Sequence, residues 1–228
     1  MENEKETKRK LQECAMKEFS EKGYMKASLR NICKEAGVTT GALYFFFKDK
    51  EDLFASLVDE PINGLQLALQ EHFSTEIEVT RELFLGGESV TKNEFDQGVT
   101  IERLVEGLEL DDDMQIARMI VKFLFTYKDA FNLLLTKAQG SRYENYTDKI
   151  VEMVEAHYMK MYMVMKGYKS KREVTKEDKF IVHWMSHDQI EIFIHVFTHC
   201  ENRKEAEKQM KKLLAYIVGG WFAAIKTD

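Results

Sequence analysis

Five residues of one segment, His183, His187, Glu191, His195 and His199, recur at intervals of four, and Cys200 follows the last. Two imidazoles four apart on a helix can share a metal ion. Each step of four drifts by about 40° on a helix of 3.6 residues per turn, so the set spreads over about 160° and cannot converge on one ion. Hydrogen bonding on the polar side of a bundle or in an interface is the other use, and no metal is expected. A di-iron carboxylate bundle needs Glu three residues before His on two helices. The residues in that place are Leu69, Val154, Phe180, Trp184, Ile192 and Val196. GxSxG, HExxH, glycine-rich phosphate loops and Cys/His zinc spacings are absent as well. Neither catalysis nor a cofactor is expected.

A second set of residues suits polyanions. Residues 22–50 hold Lys22, Lys26, Arg30, Lys34, Lys48 and Lys50 against Glu35 and Asp49, while the chain as a whole has net charge −6. A net charge of that sign argues against a nucleic-acid binder. A small basic unit on an acidic body suggests two jobs, or else a chance cluster on a solvated face.

The elements that position these residues read as helices. One Pro and 12 Gly in 228 residues are too few turn residues for a sandwich or barrel, and 44% hydrophobic residues can bury a core. Leu11, Ala15 and Phe19 share one face of a first helix over about 4–22, which Gly23 and Tyr24 end. Ser28 caps a second helix, whose Leu29, Ile32, Cys33 and Ala36 form an apolar stripe before Gly37 stops it. Thr39 or Thr40 caps a third helix containing GALYFFF, so helices two and three are joined as in a helix-turn-helix. Asp49 starts a fourth, with Asp52 in a capping-box pattern, and it runs to about 60, where Pro61 kinks it or begins a new first turn. Helical spacing resumes over 65–85. Residues 86–99 read as a loop. Further helices are expected at about 112–126, 128–138, 144–166, 176–200 and 202–226, with a polar connector at 167–175.

Three cysteines, Cys14, Cys33 and Cys200, are far apart and odd in number, which argues for a reducing, cytoplasmic setting without disulfides. The first ten residues have no apolar core, so no secretory signal is expected. The longest apolar run, Leu213 to Ile225, is short of the about 20 residues a membrane span needs.

Residues 11–54, LQECAMKEFSEKGYMKASLRNICKEAGVTTGALYFFFKDKEDLF, resemble the DNA-binding region of TetR-family bacterial transcriptional regulators. The family pattern runs as an apolar residue, AA, two spacers, LF, then GY, Ser/Thr, IA, AGV, Ser/Thr, G, LYYHF and KeL. It is matched here by Ala15, Phe19, Gly23, Tyr24, Ser28, Ile32, Ala36, Gly37, Val38, Thr39, Gly41, Leu43, Tyr44, Phe47, Lys50 and Leu53. The resemblance implies an all-α protein with a three-helix helix-turn-helix domain over 1–50. A fourth helix at about 49–60 would connect it to a larger helical effector-binding and dimerisation domain over 51–228. It implies a sequence-specific regulator, a repressor released from double-stranded operator DNA by a small-molecule effector. A helical protein–protein adaptor and a metal-responsive regulator are the alternatives.

Ser28, Thr39, Thr40, Gly41, Ala42, Tyr44, Phe45, Lys48 and Lys50 are then the candidate DNA-binding residues. Thr39, Thr40 and free N–H groups at the start of helix three suit phosphate or base edges. Gly41 allows close backbone approach, Tyr44 offers a phenol and Lys50 an ammonium to phosphate. Leu43 and Phe47 belong to the core. Where the family often has His this chain has Phe46, so that phosphate contact is lost or replaced. One of Phe45 and Phe46 faces DNA, at a thymine methyl or a sugar, or packs on helix one.

In the larger part, Met210, Leu214, Ile217 and Trp221 make an apolar seam with Ile192 and Val196 on the preceding helix. This seam either pairs with a second copy or is buried within the chain. Homodimerisation is the expectation, which makes the operator pseudo-palindromic. Phe123, Tyr127, Phe131, Tyr158, Met161, Tyr162, Trp184 and Met185 are either the lining of an effector pocket or ordinary core.

Overall fold

Short-range signals shape the N-terminal helices. In the computed structural model, which describes residues 2–81 and 110–225, α1 (Glu2–Lys26) is helical to Gly23, where φ 74° and ψ 162° break it. α2 (Leu29–Ala36) begins at Ser28, whose Oγ accepts the Asn31 N–H, and ends at Gly37 with φ 70°. Only glycine adopts that left-handed turn without a Cβ penalty. α3 (Thr40–Phe46) is capped by the Thr39 side chain, which accepts the Ala42 N–H at 3.2 Å. α4 (Lys50–Arg81) starts where Asp49 accepts the Asp52 N–H and Asp52 accepts the Lys48 N–H.

Pro61 was expected to kink or restart the helix, but α4 carries on through it. Proline removes one helical hydrogen bond. Val58, Ile62, Leu65 and Leu69 bury one face across the break, and that burial offsets the loss. The remaining described helices are α5 (Leu110–Thr126), α6 (Lys128–Thr136), α7 (Tyr146–Met165), α8 (Lys176–His199) and α9 (Arg203–Ile225). They match the spans that periodicity suggests, and no strand occurs among the described residues. The loop expected at 86–99 lies outside the described residues.

Two compact units result. The first comprises residues 1–66 and 126–148, so it extends beyond the expected boundary at residue 50 and takes in α6. Leu11, Ala15 and Phe19 of α1, Ile32, Cys33 and Ala36 of α2, and Leu43 of α3 are buried with Leu53, Phe54 and Val58 of α4. Phe54 meets Phe19 and Tyr24 edge-on at 5.0 and 5.3 Å. The added segment is tied on by polar contacts that hydrophobic spacing does not reveal. The Tyr24 N–H donates to the Lys137 carbonyl at 2.8 Å, Arg142 pairs with Asp59 at 3.2 Å, and the Tyr143 hydroxyl donates to Asp59.

The second unit comprises residues 67–125 and 149–228. Its centre joins Met114, Ala117 and Val121 of α5 to Phe193 and Val196 of α8 and to Ala206, Met210, Leu214 and Ile217 of α9. The seam expected to face a second copy is therefore turned inward. Val196, Met210, Leu214 and Ile217 are buried, and Ile192 and Trp221 pack against the same cluster. An apolar stripe is satisfied by any apolar surface that covers it, and here α5 supplies that surface. The surface of α8 and α9 instead exposes Phe180, Trp184 and Tyr216, at 70%, 50% and 56%. A shallow open groove beside them is lined by Ile181, Trp184, Met185, Tyr216, Ile217 and Trp221, among others.

The residues expected to line one pocket are likewise divided. Tyr127 and Phe131 belong to the first unit, where Phe131 is buried, whereas Phe123, Tyr158, Met161, Tyr162, Trp184 and Met185 belong to the second. Tyr158 and Met161 are buried core, and the Tyr162 hydroxyl donates to Asp178 at 2.7 Å. Asp178 closes a reciprocal capping box with Thr175 and also accepts from Tyr168, which fixes the start of α8. The histidine stripe resolves into two pairs. The His183 and His187 rings lie 4.6 Å apart and those of His195 and His199 lie 4.5 Å apart, with Glu155 on His183 at 2.7 Å. No group of three metal-ligating side chains suited to an ion occurs among the described residues.

One polar cluster ties α4 to α7 in the second unit. Glu76 accepts from Nε2 of His157 at 2.8 Å and of His72 at 3.3 Å, and Phe73 stacks on His157 at 4.0 Å. Burial opposes the Glu76 charge, but the two imidazole hydrogen bonds outweigh it and bring its pKa down to about 2. A carboxylate lowered by folding stabilises fully above its ordinary value of 4.5, and that stabilisation disappears as pH falls toward 2. Glu76→Gln should therefore cost about 3 kcal/mol at pH 7. Urea melts should show the deficit closing between those two pH values, and a constant deficit would contradict this assignment.

Candidate nucleic-acid interface

A buried carboxylate sets the geometry of the helix-turn-helix. Glu18, 5% exposed on α1, accepts from Lys22 Nζ at 2.7 Å, from the Ser28 N–H at 3.1 Å and from Asn31 Nδ2 at 3.3 Å. Burial works against its charge, yet the hydrogen bonds from Lys22, Ser28 and Asn31 prevail and hold the carboxyl below its ordinary range. Glu18 thus fixes the first turn of α2 against α1. It stands at the leucine of the LF pair in the family pattern, so hydrophobic spacing gives no sign of it. The signal available in sequence is Lys22, four residues on.

From that anchor, Gly37 turns the chain and Thr39 starts α3 with its inner face pinned by Leu43. Leu43 is fully buried, and Phe47 just after the helix is 2% exposed. The opposite face is open. Thr39, Thr40, Gly41, Tyr44 and Lys48 are exposed, and Ala42 is half-buried. Phe45 is 71% exposed, whereas Phe46 is half-buried and meets Phe45 edge-on at 5.0 Å. Of the two aromatics, Phe45 is therefore the one that faces outward. Ser28, also half-buried, uses its hydroxyl oxygen as the α2 cap.

Lys50 differs from its expected use. Its ammonium donates to the carbonyls of Tyr24 at 2.7 Å, Met25 at 3.3 Å and Ala27 at 3.4 Å, and lies 4.5 Å from the Tyr24 ring centre. The first two belong to the last turn of α1 and the third follows it, where helical donors are lacking. The Tyr24 hydroxyl donates to Glu51, and burial together with that bond pushes its pKa up to about 12. Lys50 is thus held within the fold. Of the six cations in residues 22–50, Lys22 is paired to Glu18. Lys26, Arg30, Lys34 and Lys48 remain exposed without an ion-pair partner among the described residues.

Residues 13–57 match the model for bacterial regulatory proteins of the tetR family. The match covers α1 from its second half, all of α2 and α3, and the start of α4. Over these residues the chain is similar to tetR-family regulators. Relatives of this TetR-type domain include the HTH-type transcriptional regulator AcrR of Shigella flexneri, 32% identical over 117 residues, which are 50% of this chain and 54% of that one. The acrEF/envCD operon repressor assigned in Escherichia coli K12 is 29% identical over 47% of this chain and 51% of its own. A fatty acid metabolism regulator protein of Bacillus subtilis is 34% identical over 26% of this chain and 30% of its own. The chain thus spans about half the length, or less, of these curated relatives. No helix among the described residues is long and apolar enough to cross a membrane.

Because Lys50 closes the end of α1, Lys50→Ala should lower the unfolding free energy of the TetR-type domain by about 1–2 kcal/mol, as loss of a charged hydrogen-bond donor does. Lys48→Ala, at an exposed ammonium, should leave it unchanged. Equal thermal melts for the two variants would remove the structural role given to Lys50.

Proposed function

We propose that this protein is a sequence-specific DNA-binding transcriptional regulator, acting as a homodimeric repressor that a small-molecule effector releases from its operator. The observation that carries the reading is the open face of α3, presented by a TetR-type helix-turn-helix with its inner face locked in the core. Lys26, Arg30, Lys34 and Lys48 supply unpaired positive charge in a chain of net charge −6, where phosphate contact needs it locally. Tyr44, 57% exposed, has its phenol available for a phosphate.

Dimerisation gives a second reason for exposed aromatic surface. Phe180, Trp184 and Tyr216 on α8 and α9 are exposed large apolar side chains, at 70%, 50% and 56%. A second copy seated there pairs two recognition helices. Two-fold symmetry then calls for a pseudo-palindromic operator with half-site centres about 34–36 Å apart or a multiple of it. An effector bound in the second unit releases DNA only as far as its affinities for the two conformers differ.

The test uses fluorescence anisotropy and light scattering on the full chain. Lys48→Ala should weaken binding about equally on every duplex and reduce the salt slope by about 1. Phe180→Glu with Trp184→Glu should yield monomers of unchanged helix content that no longer bind operator. A variant that stays dimeric puts the interface elsewhere, and a wild-type protein that ignores duplex DNA at low salt ends the regulator reading.

A further inference from the structure

The exposed face of α3 lacks the side chains that read most bases. Thr40–Phe46 is TGALYFF, without Arg, Lys, Asn, Gln, Asp or Glu. In the major groove guanine is read by Arg or Lys, adenine by Asn or Gln, and cytosine by Asp or Glu. Thymine alone presents an apolar group there, its 5-methyl, which apolar side chains recognise. Thr39 has its side-chain oxygen occupied by the Ala42 N–H at 3.2 Å, and Leu43 is buried. Two large side chains of α3 are turned outward, Tyr44 at 57% and Phe45 at 71%; Tyr44 carries the phenol assigned above to phosphate, which leaves Phe45 as the wholly apolar one.

Phe45 is also held ready. Its ring meets Phe46 edge-on at 5.0 Å, and Phe46 meets Phe47 at 6.5 Å, with Phe47 anchored in the core. A ring supported in this way loses little freedom when it docks, so more of its contact free energy appears as affinity. We infer that Phe45 is a specificity-determining residue that reads thymine 5-methyl groups, so the α3 half-site carries its information in T·A pairs. The inference rests on the DNA-binding reading above and names the base chemistry that this site takes.

Deoxyuridine tests it, because it pairs as thymidine does and lacks only the methyl. Duplexes selected by the full-length protein from a randomised pool are resynthesised with deoxyuridine at each thymidine in turn, and affinity is followed by anisotropy. One or two positions in each half-site should lose about fourfold, the worth of one buried methyl. Phe45→Ala should bind the thymidine duplex as weakly as the wild type binds the deoxyuridine duplex and should no longer distinguish them. Phe45→Leu should keep part of the difference, and circular dichroism should show both variants folded, since the ring is exposed. Selected sites that bind equally with deoxyuridine throughout overturn the inference and leave the regulator reading standing. A thymidine preference that survives in Phe45→Ala overturns the role of this residue. Failure to bind any duplex at low salt overturns both.

Discussion

The N-terminal unit depends on one buried negative charge. Glu18 is out of water, so its carboxylate must find donors within the fold or cost several kcal/mol. It finds them on Lys22, the Ser28 N–H and the Asn31 amide, two of which belong to the beginning of α2. A hydrogen-bonded charge tolerates little displacement, unlike an apolar contact in the same place. The position of α2 follows from Glu18, the Gly37 turn follows from α2, and the direction in which α3 shows Phe45 follows from that turn. A leucine at position 18 could fill the volume but could not specify the register of α2.

The same device recurs in the second unit, where acidic side chains again fasten helix to helix. Asp178 accepts the Thr175 N–H within its own cap and two tyrosine hydroxyls, of Tyr162 and Tyr168, from outside α8. Glu76 joins α4 to α7 through His157. Burial disfavours each of these charges, and in each case hydrogen bonds from several donors prevail. A chain with net charge −6 thus uses part of its acidic excess internally, so its overall sign says little about what its surface binds.

Cations behave in the mirror-image way. Lys50 belongs to the family pattern and reads as a phosphate contact, yet its ammonium sits among the carbonyls of Tyr24, Met25 and Ala27, at and just past the end of α1. Lys48, two residues earlier, remains in solvent. The two differ in what surrounds them after folding and not in residue type. A count of positive charge along residues 22–50 therefore overstates what is available to a polyanion, with Lys22 and Lys50 engaged inside the unit.

Features that depend on near neighbours along the chain are legible in the residues themselves. Apolar spacing placed most helices within a few residues of their ends, though not α4, which continues through Pro61 to Arg81; Ser28 and Thr39 marked the two caps, and Gly37 marked the left-handed turn between α2 and α3. The helix-turn-helix and its buried Leu43 and Phe47 were legible for the same reason. Tertiary structure alone decided which distant surface each apolar stripe meets. The stripe of Met210, Leu214 and Ile217 is equally suited to a second copy or to α5, and folding gave it to α5. Tyr127 and Phe131 likewise joined the first unit, and Tyr158 and Tyr162 the second. Hydrophobic attraction has no direction and carries no address, so periodicity shows that a face will be covered without showing by what. The addresses come from directional polar bonds such as those of Glu18, Asp178 and Lys50, whose partners lie too far along the chain for spacing to reveal.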